Sequence, residues 1–120
     1  MSEFNPAPVK PIVTFSAFRA LDIRVGSIQK VEEVARSEKL MKLTVGFGDH
    51  TRVILAGIKQ ERGNPKEIEG KQALFVLNLE PRKMAGEVSE GLLFDIGYAD
   101  GITPVLAIPE RRVPDGTRAG

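Results

Sequence analysis

The sequence contains no cysteine and a single histidine, and each shortage excludes a class of site. Without cysteine there is no disulfide framework and no thiolate metal site. His50 lies in a Gly-Asp-His-Thr turn signal and has no second histidine with which to hold a metal. No apolar run approaches the ~18–20 residues of a membrane-spanning helix. The first fifteen residues also lack the features of a secretory signal. We therefore expect a cytoplasmic protein with no metal, no cofactor and no membrane partner.

An excess of charge of one sign is also missing. The chain has 17 basic and 16 acidic residues, for a net charge of +1. A nucleic-acid partner would have to be bound by a local patch and by shape, because no overall positive field attracts it. With 120 residues, 42% of them hydrophobic, the chain is suited to one domain with a real core.

No catalytic set can be assembled from the polar residues. Asp95 and Asp100 lie near a predicted strand end, where carboxylates are common, and no third group completes a site. The serines have no obvious base beside them, and neither the G-x-S-x-G motif nor a glycine-rich phosphate loop is present. We therefore expect that the protein is not an enzyme.

The N-terminal segment divides into an arm and a short helix. Residues 1–13 contain three prolines, which fix φ and remove amide donors, so we expect a flexible, extended arm. The stretch TFSAFRAL predicts a short helix capped by Thr14 or Ser16. Phe15 and Phe18 on this helix would pack either on the chain's own core or on a partner surface. The folded domain would then cover residues 14–120.

Five strand patterns follow, and a polar segment separates the third from the fourth. In the second strand, hydrophobic residues alternate with polar ones from Met41 to Phe47. Gly26, in the first strand, predicts a bulge at which the sheet curls. Between the third and fourth strands, Pro65 can begin a short helix with Asn64 as its cap and Gly70 as its stop. The pattern predicts an all-β fold, a five-stranded barrel, and the position of the helix favours the OB-fold. The strand patterns are LDIRVGSIQKVEEV, LMKLTVGFG, TRVILAGI, KQALFVLNL and EGLLFDIG, followed by a shorter extended run, ITPVLAI, and a polar C-terminal extension.

The connection between the fourth and fifth strands concentrates the groups most useful for binding. Adjacent cations can contact phosphates, an amide or carboxylate can pair with a base edge, and a thioether offers a soft apolar surface. An exposed turn with locally bonded polar side chains would explain the same residues without a ligand. The candidate residues are Asn78, Arg82, Lys83, Met84, Ser89 and Glu90.

These residues carry a resemblance to a known family, the tRNA-binding domain. DIRVG at 22–26, SEKLMKLTV at 37–45, AGI at 56–58 and NLEPRKMAGEVSEGLLF at 78–94 resemble its motifs. The domain occurs alone in some proteins and at the C-terminus of methionyl-tRNA synthetase, and it is related to the CsaA secretion chaperones. Three positions depart from the usual pattern: ARSEKL lacks the frequent His-Pro, AGI replaces SGL, and Leu92 replaces a methionine.

The resemblance implies an OB-fold without catalytic activity that binds tRNA by shape. It also implies a homodimer built with the N-terminal helix and the C-terminal extension. The same six residues become candidate RNA contacts, with Lys39 and Lys42 as supporting cations. An aminoacyl-tRNA synthetase is a further expected partner. The ending RRVPDGTRAG is similar to CsaA tails, so a chaperone that binds unfolded precursor proteins is the alternative.

Overall fold

A computed structural model describes residues 4–120 of the chain. Residues 4–13 form neither helix nor strand, and the first three residues of the predicted arm lie outside the described part. Helix α1 spans Phe15–Arg19, and the Thr14 hydroxyl accepts a hydrogen bond from the Ala17 amide at 3.0 Å. The predicted helix and its threonine cap are therefore confirmed.

The centre of the molecule is a nearly closed antiparallel barrel of five strands. They are β1 (Ile23–Glu33), β2 (Met41–Gly46), β3 (Thr51–Ala56), β4 (Gln72–Val76) and β7 (Leu92–Leu93), in the spatial order β3-β2-β1-β4-β7. Two short strands, β5 (Arg82–Met84) and β6 (Glu87–Ser89), form a separate hairpin between β4 and β7. The all-β, OB-like barrel predicted from the strand pattern is confirmed.

The barrel core is built from the alternating apolar positions of its strands. Met41, Leu43, Val45 and Phe47 are all buried, as the period of two in the second strand predicts. The ring of Phe47 meets that of Phe75 edge to face, with centroids 5.6 Å apart. Such pairing adds about 1 kcal/mol to the stability gained by burial alone.

A 3₁₀ helix at Pro65–Ile68 packs against β1. The Asn64 side chain caps it by accepting a hydrogen bond from the Lys66 amide, and Pro65 begins it. Its last residue, Ile68, is completely buried in the core. The helix predicted between the third and fourth strands is therefore present, in its tighter 3₁₀ form.

Two details of the strands differ from the predictions. Gly26 pairs in regular register with Ala73, and the irregularity of β1 falls between Ile28 and Lys30. The glycine is instead needed for packing, since a methyl group there would lie 2.6 Å from the side chains of Val45 and Phe47. The predicted fifth strand is divided in two. Its first part, β7, pairs with β4, and the following Phe94 amide still donates to the Leu74 carbonyl at 3.0 Å. Asp95 and Ile96 then pair with a different segment of the chain.

Beyond β7, the chain wraps around the barrel as a C-terminal extension. Strand β8 (Asp95–Ile96) pairs with β9 (Val105–Leu106), and β10 (Arg118–Ala119) pairs with the start of β1. In the described range, no helix has the length and apolar character needed to cross a membrane.

Candidate nucleic-acid interface

The β5–β6 hairpin carries the densest group of predicted binding residues. Its register pairs Arg82 with Ser89 and Lys83 with Val88. Ala85 and Gly86 form the two-residue turn, with φ of +50° and +83°. Positive φ at both positions is what a type I′ turn requires, and that turn matches the twist of the two strands.

Arg82 and Lys83 are exposed on this hairpin. Their side chains make no hydrogen bond or ion pair with any other described residue. Unpaired guanidinium and ammonium groups on a two-stranded ribbon are available to a polyanion at little desolvation cost. Of the predicted site residues, these two are among the most accessible cations.

The Asn78 side chain hydrogen-bonds to the protein's own backbone through both of its polar atoms. Its Oδ1 accepts a hydrogen bond from the Asp22 amide at 2.7 Å, and its Nδ2 donates to the Ala20 carbonyl at 2.6 Å. The side chain therefore ties the end of β4 to the segment between α1 and β1. In this arrangement the amide has little capacity left for a ligand.

Ser89 and Glu90 close the barrel along the free edge of β3. The buried Ser89 hydroxyl accepts from the Leu55 amide at 2.9 Å and donates to the Gly91 carbonyl. The Glu90 carboxylate accepts from the Val53 amide at 2.8 Å, and its own amide donates to the Val53 carbonyl. Both side chains thus satisfy strand-edge groups that lack a neighbouring strand.

The loop at residues 34–40 and strand β2 contribute further cations, and one from each reaches the hairpin. Lys39 is exposed, whereas Lys42 Nζ pairs with Glu87 Oε1 of β6 at 3.1 Å. A methyl group built on Gly86 would lie 3.5 Å from Arg36 Nη1, so this guanidinium reaches the hairpin turn. Sequence reasoning missed Arg36 because it lies in a polar connector, and only the fold places it next to the turn.

A cleft of ≈250 Å³ lies under the hairpin. Met84 is half-buried in its wall, beside the apolar side chains of Leu40, Leu79 and Leu92. Asp95, which the sequence suggested was an ordinary turn carboxylate, lies in the same wall. The cleft therefore combines a soft apolar lining with an acidic acceptor.

Two carboxyl groups near the cleft are poorly solvated. Burial raises the pKa of Asp95, and burial together with the charge of Asp95 raises the pKa of Glu61. The positive charge of Arg62 opposes both shifts without cancelling them. Across residues 4–120, no three His, Cys, Asp or Glu side chains are grouped so that they could hold a metal ion.

Comparison with known proteins finds a matching family and similar proteins for this chain. Residues 23–118 match the family described as "Putative tRNA binding domain". A methionine–tRNA ligase of Bacteroides fragilis is 36% identical over 116 residues, which are 97% of this chain and 17% of the ligase. The chain thus spans about a sixth of the length of this curated relative.

Two solved structures share the fold over nearly the whole chain. The MetRS-related protein from Pyrococcus horikoshii is 33% identical with a TM-score of 0.84, and the match covers 92% of this chain and 100% of that one. The chaperone CsaA from Bacillus anthracis is 29% identical with a TM-score of 0.77, over 92% of this chain and 100% of that one.

Proposed function

The chain belongs to the tRNA-binding domain family, and from this we propose that it binds tRNA by shape, as a homodimer, without catalysing a reaction. The binding surface consists of the β5–β6 hairpin and the loop at residues 34–40. The protein acts in the cytoplasm. It helps a synthetase to hold tRNA, and an example of such a synthetase is the methionine–tRNA ligase that contains a similar domain.

The observation that carries the proposal is the exposure of the Arg82 and Lys83 side chains. They lie within residues 23–118, which match the family, and they are exposed and unpaired with respect to the described residues. Arg36 and Lys39 add two more cations from the neighbouring loop. A cluster of this kind supplies the phosphate contacts that dominate affinity for nucleic acids.

Recognition by shape is supported by the other candidate residues. Asn78, Ser89 and Glu90 are the side chains best suited to reading a base edge, and all three hydrogen-bond within the protein. The cations that remain free contact phosphates, which carry no sequence information.

The direct test is the double substitution Arg82→Ala with Lys83→Ala. Removing two phosphate contacts should weaken tRNA binding about tenfold and lower the slope of log affinity against log salt by about 2. The measurement is fluorescence anisotropy with labelled tRNA over a series of salt concentrations. Circular dichroism would establish that the variant remains folded.

The matched control removes the same charge elsewhere, by Lys71→Ala with Arg111→Ala. These cations line a depression that shares no residue with the hairpin cleft. The control should bind tRNA nearly as well as the unmodified chain. Equal losses in both double variants would mean that net charge, and not the hairpin, determines binding.

The homodimer is supported by apolar side chains that the described chain leaves uncovered. No residue of α1 is buried, and Phe15 is 80% exposed. Phe15, Phe18 and Leu21 line a hollow together with the C-terminal Ala119 and Gly120. A five-residue helix gains little stability by itself, so a second copy packed on this terminal patch would supply the missing burial.

A chaperone of the CsaA kind is the second candidate function. The specific observation is the full-length match to the CsaA structure, together with exposed apolar residues on the C-terminal extension such as Val105 and Ile108. An unfolded peptide added to the anisotropy assay separates the two functions. Displacement of tRNA by the peptide, or peptide binding with no tRNA binding, would favour the chaperone function.

A further inference from the structure

A second depression opens beside the hairpin cleft and shares two residues with it. Its volume is ≈450 Å³, within the range of ~300–1,000 Å³ typical of small-ligand sites. Gly57 and Asp95 line both the depression and the cleft. The depression is therefore continuous with the surface proposed to bind tRNA. It is lined by Lys39, Gly57, Gln60, Glu61, Asp95 and Tyr98.

The lining combines three kinds of group that a nucleotide would need. Tyr98, the only tyrosine, is 77% exposed, so its ring is free to stack on a base. Lys39 is exposed and can contact a phosphate. Asp95 lines both this depression and the hairpin cleft, and it offers carboxylate oxygens as acceptors.

The carboxylates in this depression lack donors. No described residue hydrogen-bonds to the Asp95 side chain, and the buried Oε1 of Glu61 has no partner either. The nearby Arg62 makes its side-chain hydrogen bond to Glu67 Oε2, from Nη1 at 2.8 Å, and makes none to these two carboxylates. Burial raises the pKa of both carboxyl groups, and the charge of Asp95 adds to the shift at Glu61.

A carboxylate on an RNA-binding surface repels phosphates, so its natural partner there is a hydrogen-bond donor on a base. Guanine is the base whose Watson–Crick edge has two adjacent donors, N1–H and the N2 amino group. Adenine and cytosine place a ring acceptor beside their amino group, and uracil places its single N–H between two carbonyl oxygens. A carboxylate, which is an acceptor only, therefore discriminates in favour of guanine.

We propose that this depression holds an unpaired guanine of the bound RNA, with its base stacked on Tyr98 and its N1–H and N2 amino group donating to Asp95. Lys39 contacts the adjoining phosphate. The inference rests on the proposed function, and it adds a base-specific contact to a surface that otherwise recognises shape. Asp95 is thus a specificity residue, whereas Arg82 and Lys83 supply affinity.

The test uses three trinucleotides of RNA, UGU, UIU and UAU, titrated into the full chain and followed by NMR. Inosine keeps N1–H but lacks the amino group, so it isolates the second hydrogen bond. The unmodified chain should bind UGU about tenfold more tightly than UAU, with UIU between them. The Tyr98 ring protons should shift on binding.

Two substitutions separate the roles of the lining residues. Asp95→Asn keeps the side-chain volume and replaces one acceptor by a donor, so the preference for UGU over UAU should disappear. Tyr98→Ala should weaken all three trinucleotides by a similar factor, because stacking does not depend on base identity. Both residues are free of side-chain hydrogen bonds to the described chain, so both variants should remain folded.

Each outcome bears on the proposal. Equal affinity for UGU and UAU in the unmodified chain overturns the guanine site, and if tRNA still binds, the proposed function stands. A guanine preference that survives Asp95→Asn also overturns it. If the unmodified chain prefers UGU over UAU and Asp95→Asn loses that preference, the guanine site is supported, even if the chain does not bind tRNA. A Mg²⁺ titration that shifts the Asp95 signals without any base preference would make the depression a cation site instead.

Discussion

At the scale of single residues, hydrogen bonds decide which polar side chains of the binding motif remain free. Ser89 and Glu90 bond to strand β3, and Asn78 bonds to the backbone of Ala20 and Asp22. The buried Ser89 hydroxyl is costly to remove, because truncation would leave the Leu55 amide without a partner. The motif thus stabilises the barrel and also presents two free cations.

Asp22 connects the start of β1 to the end of the chain. Its Oδ1 accepts from Arg24 Nε at 2.9 Å and from Arg118 Nε at 3.3 Å. The hydrogen bond from Arg24 is the main cause of the lowered pKa of Asp22, and the charge of Arg118 adds to it. A carboxyl group whose pKa is lower in the folded than in the unfolded chain stabilises the fold above the unfolded value and loses that contribution as the pH falls through the folded value.

Asp22→Asn should therefore lower the free energy of unfolding by about 1 kcal/mol at pH 7. The difference from the unmodified chain should shrink as the pH falls below about 4, the ordinary range of an aspartate. Urea denaturation at several pH values measures this. The control Glu80→Gln removes an exposed carboxylate that forms no ion pair within residues 4–120, and it should show neither effect.

At the scale of elements, the β5–β6 hairpin depends on an unfavourable turn residue. Ala85 has φ of +50°, a conformation in which its Cβ approaches the backbone carbonyl. Gly86 adopts φ of +83° without that penalty. Asn-Gly is the preferred pair for this turn, so the natural Ala-Gly pair leaves the hairpin less stable than it could be.

Ala85→Asn should stabilise the hairpin by about 0.5–1 kcal/mol. Because the hairpin is peripheral, we expect the gain as amide exchange about twofold to fivefold slower in β5 and β6, with little change in the core strands. Hydrogen exchange followed by NMR provides the measurement. Gly86→Ala should have the opposite effect, and faster exchange in Ala85→Asn would show that the turn is unstrained.

At the scale of the whole molecule, the terminal patch exposes large apolar side chains, among them Phe15, Phe18 and Leu21. The N-terminal helix and the last residues of the chain meet there, since a methyl group on Gly120 would lie 3.2 Å from Phe18 Cζ. Helix α1 and the last residues of the chain thus form one surface, although about a hundred residues separate them in the sequence.

Phe15→Ser should weaken the proposed dimer about thirtyfold, as expected when an aromatic anchor is removed from an interface. Sedimentation velocity over a range of concentrations would follow the shift from twice the 13.1 kDa chain mass to the chain mass itself. Val88→Ser, on the hairpin, is the control and should leave the dimer intact, because the cleft under the hairpin shares no residue with the terminal patch. Sedimentation of the unmodified chain as a monomer at high concentration would rule out the dimer.

Local signals in the sequence were sufficient to determine several of the elements. The alternation from Met41 to Phe47, the Thr14 cap and the Asn64–Pro65 helix start each depend on residues close together in the chain, and each is present in the structure. The order of these elements then led to the barrel. The candidate cations Arg82 and Lys83 were also apparent, because their turn-like surroundings predict exposure.

Tertiary structure alone decided how those elements close and which groups face each other. Ser89 and Glu90 reach β3 across sequence separations of 34 and 37 residues, and no local pattern signals such a contact. For the same reason, the fold alone brings Arg36 to the hairpin turn and Asp95 and Tyr98 to the same depression as Lys39. The predicted bulge at Gly26 was wrong because a glycine required for packing and a glycine required for a bulge look alike in the sequence.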